Sequence, residues 1–130
     1  RTRLKEKYGR NILGVVAEDI NSMDEKLLIK IKEIIEKELI NPKLDVQYLS
    51  NLIGMSRSQL FRKLKALTDL SPNEYIRLYR LEKAYQRLKC GAGNVSEIAY
   101  TSGFENLSYF SKCFFEQYKL LPSELVNSNK

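Results

Sequence analysis

An internal repeat limits the possible folds of this chain more than any other feature of its sequence. The segment LSNLIGMSRSQLFRKLK (49–65) matches IAYTSGFENLSYFSKCFF (98–115), which carries one extra residue after the central glycine. The aligned pairs are Leu49 with Ile98, Ser50 with Ala99, Gly54 with Gly103, Met55 with Phe104, Ser56 with Asn106, Leu60 with Phe110, Arg62 with Lys112, and Leu64 with Phe114. Since similar residues recur in the same order, the two segments should form the same local structure twice.

Each copy predicts two helices separated by a tight turn. A short apolar segment leads to Gly54 or Gly103, the next residue is apolar, and Ser56 or Asn106 can then cap a second helix. Glycine permits a tight turn, and small residues let the two helices approach closely. The pattern predicts helix-turn-helix units at about 45–67 and 95–117.

The rest of the sequence also has the patterns of helices. Asp24 is a candidate cap for a helix with an apolar stripe, which Asn41-Pro42 should end. SPNE at 71–74 is a capping box that should start a long helix, reaching about Lys89 before the glycines of CGAGN. Other helices are expected at 45–53, 56–67, 95–101, 106–117 and after Pro122. The predicted fold class is all-α, with about seven helices and the long one joining two helix-turn-helix subdomains.

Positive charge is concentrated in the middle of the chain. The formal net charge is +6, and the segment from Gly54 to Lys89 holds nine basic residues against three acids. Such a patch favours a polyanionic partner, either nucleic acid or an anionic membrane. The longest apolar run, ILGVVA at 12–17, is too short to cross a bilayer. We also expect no membrane contact by this segment.

Residues suited to catalysis are scarce. The chain has no histidine and no glycine-rich phosphate loop after a strand, and Cys90 and Cys113 lack CxxC spacing. We therefore expect no enzymatic activity, cofactor or metal site, and reduced thiols in a cytoplasmic protein. No signal peptide opens the sequence, and its first residue, Arg1, suggests part of a longer protein.

Three blocks resemble the DNA-binding domain of AraC-type transcription regulators: YLSNLIGMSRSQLFRKLK (48–65), SPNEYIRLYRLEKAYQRL (71–88) and VSEIAYTSGFENLSYFSKCFFEQYKLLPSEL (95–125). The resemblance assigns 24–130 to this domain and implies a bacterial regulator that binds specific double-stranded DNA, with RNA polymerase as a further partner. Two positions depart from the family pattern. Leu125 replaces a usual aromatic, which should affect packing of the last helix. Lys112 replaces a commoner arginine, which weakens the case for a bidentate guanine contact.

Residues 1–23, including RTRLKEKYGR, resemble the connector between a receiver and an AraC-type domain in hybrid two-component regulators. This resemblance implies that phosphorylation of an absent receiver favours a homodimer of the full-length protein. It also implies histidine kinase activity outside this segment. The alternatives are a stand-alone AraC-type activator, with 1–23 forming only a boundary helix, and a helical protein-interaction module whose basic face meets an acidic partner.

The geometry of DNA selects candidate contacts. The major groove is about 12 Å wide and accepts one helix, which reads base edges from the exposed face near its start. Residues expected to read bases are Arg57, Ser58, Gln59, Phe61 and Arg62 in the first unit, and Leu107, Ser108, Ser111 and Lys112 in the second. Residues expected at phosphates are Ser56, Lys63, Lys65, Arg77, Arg80 and Tyr109.

Several of these assignments have alternatives. Phe61 could be exposed without a role, and Arg80 could pair with Glu97 or with neighbours of Glu82 instead of DNA. Leu107 and Ser111 could meet a thymine methyl group or a base edge. Because the first face carries more charge, it should perform most of the readout. Core packing is the expected role of Leu60, Leu64, Phe110 and Phe114.

Overall fold

The computed structural model describes residues 22–128, and within them all regular structure is helical. The predicted all-α fold class is confirmed. The connector predicted at 1–23 lies almost wholly outside the described residues. Seven helices follow one another: α1 (Ser22–Lys37), α2 (Val46–Ile53), α3 (Arg57–Thr68), α4 (Pro72–Cys90), α5 (Val95–Thr101), α6 (Leu107–Tyr118) and α7 (Pro122–Ser128).

The helices divide between two compact units. The first contains residues 22–38 and 43–78, and the second contains residues 39–42 and 79–128. The long helix α4 therefore begins in the first unit and ends in the second. The short segment 39–42 belongs to the second unit although both of its flanks belong to the first.

In the first unit, helix α1 buries the apolar stripe that its sequence predicts, with Leu28, Ile31 and Ile35 all removed from solvent. The prediction that Asp24 caps this helix is wrong. Asp24 lies inside the first turn, where a carboxylate interacts favourably with the helix dipole. Its side chain forms an ion pair with Lys63 of α3.

The core of the second unit is largely aromatic. Phe110 and Phe114, one turn apart on α6, are fully buried, with ring centroids 5.6 Å apart. Tyr85 of α4 and Tyr118 lie against Phe114, and burial raises the pKa of Tyr118, whose hydroxyl donates to Glu82. Leu125, at the position where the sequence departs from the family pattern, is also buried in this core.

The turn between the paired helices is built alike in both units. Gly54 has φ +84° and Gly103 has φ +100°, the left-handed region that favours glycine. The residue after each glycine donates its backbone N–H to the carbonyl five residues back: Met55 to Ser50, and Phe104 to Ala99, both at 3.0 Å. This is the hydrogen bond of a Schellman C-cap, and it turns the chain into the second helix.

The repeat extends further than the sequence alignment indicated. Asp69 ends α3 and Lys119 ends α6, and both adopt a left-handed conformation with φ near +65°. Three residues later Pro72 and Pro122 begin the next helix. Glu74 and Glu124 then accept the backbone N–H of Ser71 and Leu121, at 2.8 and 2.6 Å. Each copy therefore contains two helices and the start of a third.

Candidate nucleic-acid interface

The second helix of the first unit, α3, has one buried face and one exposed face. Leu60 and Leu64 are fully buried, as predicted. The residues of the opposite face near the helix start are all exposed: Arg57, Ser58, Phe61 and Arg62. Their spacing of three and four residues places them on one side of the helix. The structure thus brings together the main base-reading candidates of this unit.

These residues line an open groove with a volume of about 800 Å³. Its walls are the exposed face of α3 and the N-terminal ends of α2 and α4. The lining residues are Asp45, Val46, Gln47, Arg57, Ser58, Phe61, Arg62, Ser71, Pro72 and Asn73. The groove is therefore a concave surface that carries the two guanidinium groups of Arg57 and Arg62 against the single carboxylate of Asp45, and this excess of positive charge suits an anionic partner.

The first turn of α3 is held by a complete capping box. Ser56 Oγ accepts the backbone N–H of Gln59 at 3.1 Å, and Gln59 Oε1 accepts the backbone N–H of Ser56 at 3.0 Å. The helix start is thereby fixed before any ligand binds. Both residues are exposed, but the side-chain carbonyl of Gln59 is already engaged, which weakens the case for Gln59 as a base-reading residue.

Lys63 forms an ion pair with a residue of helix α1. Its ammonium lies 3.1 Å from the carboxylate of Asp24 on α1. The Lys63 side chain is 51% exposed, whereas that of Asp24 is 13% exposed, so the ammonium end of the pair is open to solvent and a DNA phosphate could compete with Asp24 for it. Lys63 therefore stays a candidate phosphate contact, but one whose position depends on α1.

Two further cations lie near the start of α4. Lys65 and Arg77 are exposed. The pKa of the Glu74 carboxyl lies below its usual value, chiefly because the backbone N–H of Ser71 donates to it, and the charges of Lys65 and Arg77 lower it further. The carboxylate caps α4 while both cations remain accessible to phosphate.

In the second unit, α6 presents the equivalent face. Asn106 caps it by accepting the backbone N–H of Tyr109 at 2.8 Å. Leu107, Ser108, Tyr109 and Lys112 are exposed and Ser111 is half-buried. The Tyr109 ring also lies near Phe104, with centroids 6.3 Å apart, so its hydroxyl is carried on a ring that contacts the core. Four of the five predicted contacts on α6 are accessible, and Ser111 is partly so.

Two arginines of α4 have partners within the second unit. Arg80 Nη2 donates to the carbonyl oxygens of Leu39 at 3.3 Å and Asn41 at 3.5 Å, and burial lowers the pKa of its guanidinium. The acid whose charge acts on Arg80 is Glu105, not Glu97. Arg87 Nη1 donates to the carbonyl of Thr101 at 2.7 Å, at the end of α5. We therefore leave Arg80 out of the proposed phosphate contacts.

Acidic groups occur at the start of every described helix except α3 and α6. The carboxylates are those of Asp24 and Glu25 on α1, Asp45 on α2, Glu74 on α4, Glu97 on α5 and Glu124 on α7. The neutral residues Ser56 and Asn106 cap α3 and α6, whose first turns hold no acid. The positive ends of these two helix dipoles are therefore not offset by a carboxylate of their own first turn.

A family model described as a helix-turn-helix domain, of the AraC type, matches residues 49–128, and curated relatives of this chain are AraC-family regulators. The chain belongs to the AraC-type helix-turn-helix family. It is accordingly a domain of a transcription regulator that binds double-stranded DNA.

Relatives of this AraC-type domain include much longer proteins. It is 40% identical over 129 residues to "Histidine kinase P4" of Formosa agariphila, a match that covers 98% of this chain and 9% of that protein. It is 37% identical over 90 residues to the "HTH-type transcriptional activator RhaS" of Mannheimia succiniciproducens, covering 69% of this chain and 32% of the relative. The chain thus spans a minor part of both relatives.

Solved structures share the fold. The C-terminal domain of the two-component response regulator yesN from Fusobacterium nucleatum is 26% identical, with a TM-score of 0.69, and the match covers 75% of this chain and 95% of that one. An AraC-type regulator from Chromobacterium violaceum has a TM-score of 0.72 at 24% identity, covering 84% and 96%. In the part of this chain that the structure describes, no helix is long and apolar enough to span a membrane.

Sequence reasoning missed two residues of the groove. Gln47 and Asn73 are exposed at the starts of α2 and α4, and both line the groove beside the α3 face. Each follows a recognisable cap and could have been found from that signal, since polar residues at helix N-termini commonly contact phosphates. Neither side chain carries a charge, whereas most of the phosphate contacts predicted from the sequence are lysines and arginines.

Proposed function

We propose that this AraC-type domain reads two successive major grooves of one DNA duplex, inserting α3 into one and α6 into the next. The observation that carries the proposal is the duplicated unit, each copy of which presents an exposed helix start without an acid in its first turn. A carboxylate there would repel phosphates and the electronegative edges of bases. The absence of acid at these two helix starts, against its presence at the other five, suits both helices to DNA.

The two faces should read different sequences. Aligned position by position, Arg57 corresponds to Leu107, Phe61 to Ser111, and Arg62 to Lys112, whereas Ser58 and Ser108 are the same residue. An arginine presents a rigid planar fork that matches O6 and N7 of guanine, whereas leucine has no donor and the flexible lysine ammonium matches this pair of acceptors less specifically. The preferred site of one monomer is therefore non-palindromic, with the stronger base preference in the half bound by α3.

Phosphate contacts surround each face in this proposal. Lys65 and Arg77 approach the backbone beside α3, Lys63 does so after release from Asp24, and the Ser56 hydroxyl is close to the helix start. Tyr109 serves the half bound by α6. Gln47 and Asn73 join this set because they line the same groove as Arg57 and Arg62. These contacts position the domain without selecting sequence.

We further propose that the domain is the cytoplasmic output part of a hybrid two-component regulator. The support is the match to the protein named a histidine kinase, which extends over 98% of this chain and so includes the residues before the helix-turn-helix domain. In such a parent, kinase activity lies outside this segment. Phosphorylation promotes a homodimer, which places two domains on DNA and contacts RNA polymerase.

A stand-alone activator is the second candidate. The match to the activator RhaS favours it, although that match covers only 69% of this chain. Operator affinity of the purified full-length parent, measured with and without phosphorylation, distinguishes the two. An affinity that rises on phosphorylation supports the two-component role, and an unchanged affinity supports the stand-alone regulator.

Selection of bound sequences from a random duplex pool tests the DNA-reading proposal. We expect one non-palindromic consensus with two conserved half-sites. Affinity for it should fall with salt, with the slope of log K against log [salt] steepening by roughly 0.9 for each phosphate contacted. The Lys65→Ala variant should make that slope shallower by about one, because one phosphate contact is lost, and should leave the consensus unchanged. Failure to enrich any sequence would contradict sequence-specific reading and favour a protein-interaction module.

A further inference from the structure

Phe61 is an aromatic side chain in an unusual setting for a soluble domain. It is 48% exposed, it lies on the accessible face of α3, and it lines the same groove as Arg57 and Arg62. The neighbouring Leu60 and Leu64 already fill the core from the other face of this helix. Packing of the unit therefore leaves about half of the Phe61 side chain in water.

We infer that Phe61 recognises a thymine through its C5-methyl group, an inference that rests on the proposed reading of DNA by α3. A benzene ring carries no donor or acceptor for the polar edges of guanine, adenine or cytosine. The thymine methyl is the one apolar group that the bases present in the major groove. Burying that methyl against the exposed ring removes apolar surface of both partners from water.

The position of Phe61 on the helix supports this assignment. Phe61 follows Arg57 by four residues, so these two side chains are neighbours one turn apart on the same face, and Arg62 is the next residue round the helix and lines the same groove. When the guanidinium groups bind guanines or phosphates, the ring is held against the base pairs between them. The first half-site should then combine guanine with an adjacent thymine. The aligned residue of the second unit, Ser111, cannot make this contact in the same way.

Removal of one thymine methyl group at a time from the DNA tests the inference. Starting from the selected site, each thymine is replaced in turn by deoxyuridine, which removes only the C5-methyl, and affinity is measured by fluorescence anisotropy. We expect the 130-residue chain to lose about 3- to 10-fold in affinity at one thymine of the α3 half-site. The Phe61→Ala variant should bind the parent site more weakly by a similar factor and no longer distinguish uracil from thymine at that position.

A matched control is available in the same unit. Leu52 of α2 is 47% exposed and is not among the residues lining the groove, so Leu52→Ala should keep the full uracil penalty. Thermal unfolding of Phe61→Ala should match that of the parent chain, because the ring is not part of the core. If Phe61→Ala retains the uracil penalty at every thymine, or if no thymine shows a penalty, the inference is wrong while DNA reading by α3 still stands. If no duplex is preferred over random DNA, the proposed function itself fails.

Discussion

At the scale of single residues, the cations of α3 differ in whether other residues of the domain already hold them by hydrogen bonds or ion pairs. Lys63 is paired with Asp24, whereas within residues 22–128 no hydrogen bond or ion pair holds the guanidinium of Arg62. An arginine in this position can present its planar fork to the O6 and N7 atoms of guanine. Arg62 is for this reason the residue of the first unit that we expect to contribute most to base selection.

The Arg62→Ala variant tests this role. We expect a loss of about 1–3 kcal/mol on the selected site and a relaxed preference at one base pair, measured by binding to a panel of single-base variants of the site. Arg62→Lys, which keeps the charge but not the fork, should recover affinity for random DNA without restoring the base preference. Equal losses on the selected site and on random duplex would identify Arg62 as a phosphate contact.

The two turn glycines give a second prediction at this scale. Both have positive φ, which costs an alanine about 1–2 kcal/mol. A Cβ on Gly54 meets nothing within 4 Å, whereas a Cβ on Gly103 would overlap the carbonyl oxygen of Leu39 and Nε of Arg80. Gly103→Ala should therefore destabilise the domain more than Gly54→Ala by about 1–3 kcal/mol, measured by urea unfolding. Equal losses of unfolding free energy in the two variants would show that the segment around Leu39 moves aside at little energetic cost.

At the scale of helices, electrostatics separates the two recognition helices from the other five. Replacing Gln59 with glutamate should improve the capping box of α3, because a carboxylate at this position favours the helix dipole by about 0.3–1 kcal/mol. The same charge faces the DNA, so affinity should fall by about 1 kcal/mol. Thermal unfolding and DNA titration of one Gln59→Glu preparation measure both effects.

A Gln→Glu change elsewhere controls for net charge. Gln86 is exposed in the middle of α4, so Gln86→Glu should change neither stability nor affinity by more than a few tenths of a kcal/mol. If Gln59→Glu raises stability and leaves affinity intact, the start of α3 does not approach DNA.

The sequence predicted the helices well because their ends carry strong local signals. Glycines, prolines and capping residues marked the boundaries of α2 to α7 to within a residue or two. The hydrogen bonds and ion pairs of individual side chains were harder to predict. The pairing of Lys63 with Asp24 and the bonding of Arg80 to the Leu39 carbonyl join residues 39 and 41 positions apart, and no local pattern reveals such contacts. Exposure of the α3 face followed from periodicity alone, and the position of Gln59 three residues after Ser56 already matches a capping box, which the hydrogen bonds confirm.

At the scale of the whole molecule, our proposal concerns the spacing of the two half-sites. Reading of two successive major grooves requires half-sites about 34 Å apart, which is one turn of B-DNA or about 10 base pairs. Inserting about five base pairs between the half-sites would turn the second half-site to the far side of the duplex. Affinity should then fall to that of a single half-site, measured against the parent site.

An insertion of about ten base pairs serves as the control. It restores the side of the duplex but lengthens the separation by one turn, which a helical connector should not span. Unchanged affinity after the five-base-pair insertion would mean that one unit alone reads DNA and that the second copy of the repeat only supports the fold.

The interleaved path of the chain also has a consequence for the order of events on the ribosome. Segment 39–42 lies with the second unit, and Arg80, which binds its carbonyls, follows Leu39 by 41 residues. At typical synthesis rates of about 5–20 residues per second, Leu39 is made about 2–8 s before its arginine. Helix α1 and the first helix-turn-helix unit can begin to pack in that interval, while the segment that connects them remains undocked until α4 has been translated.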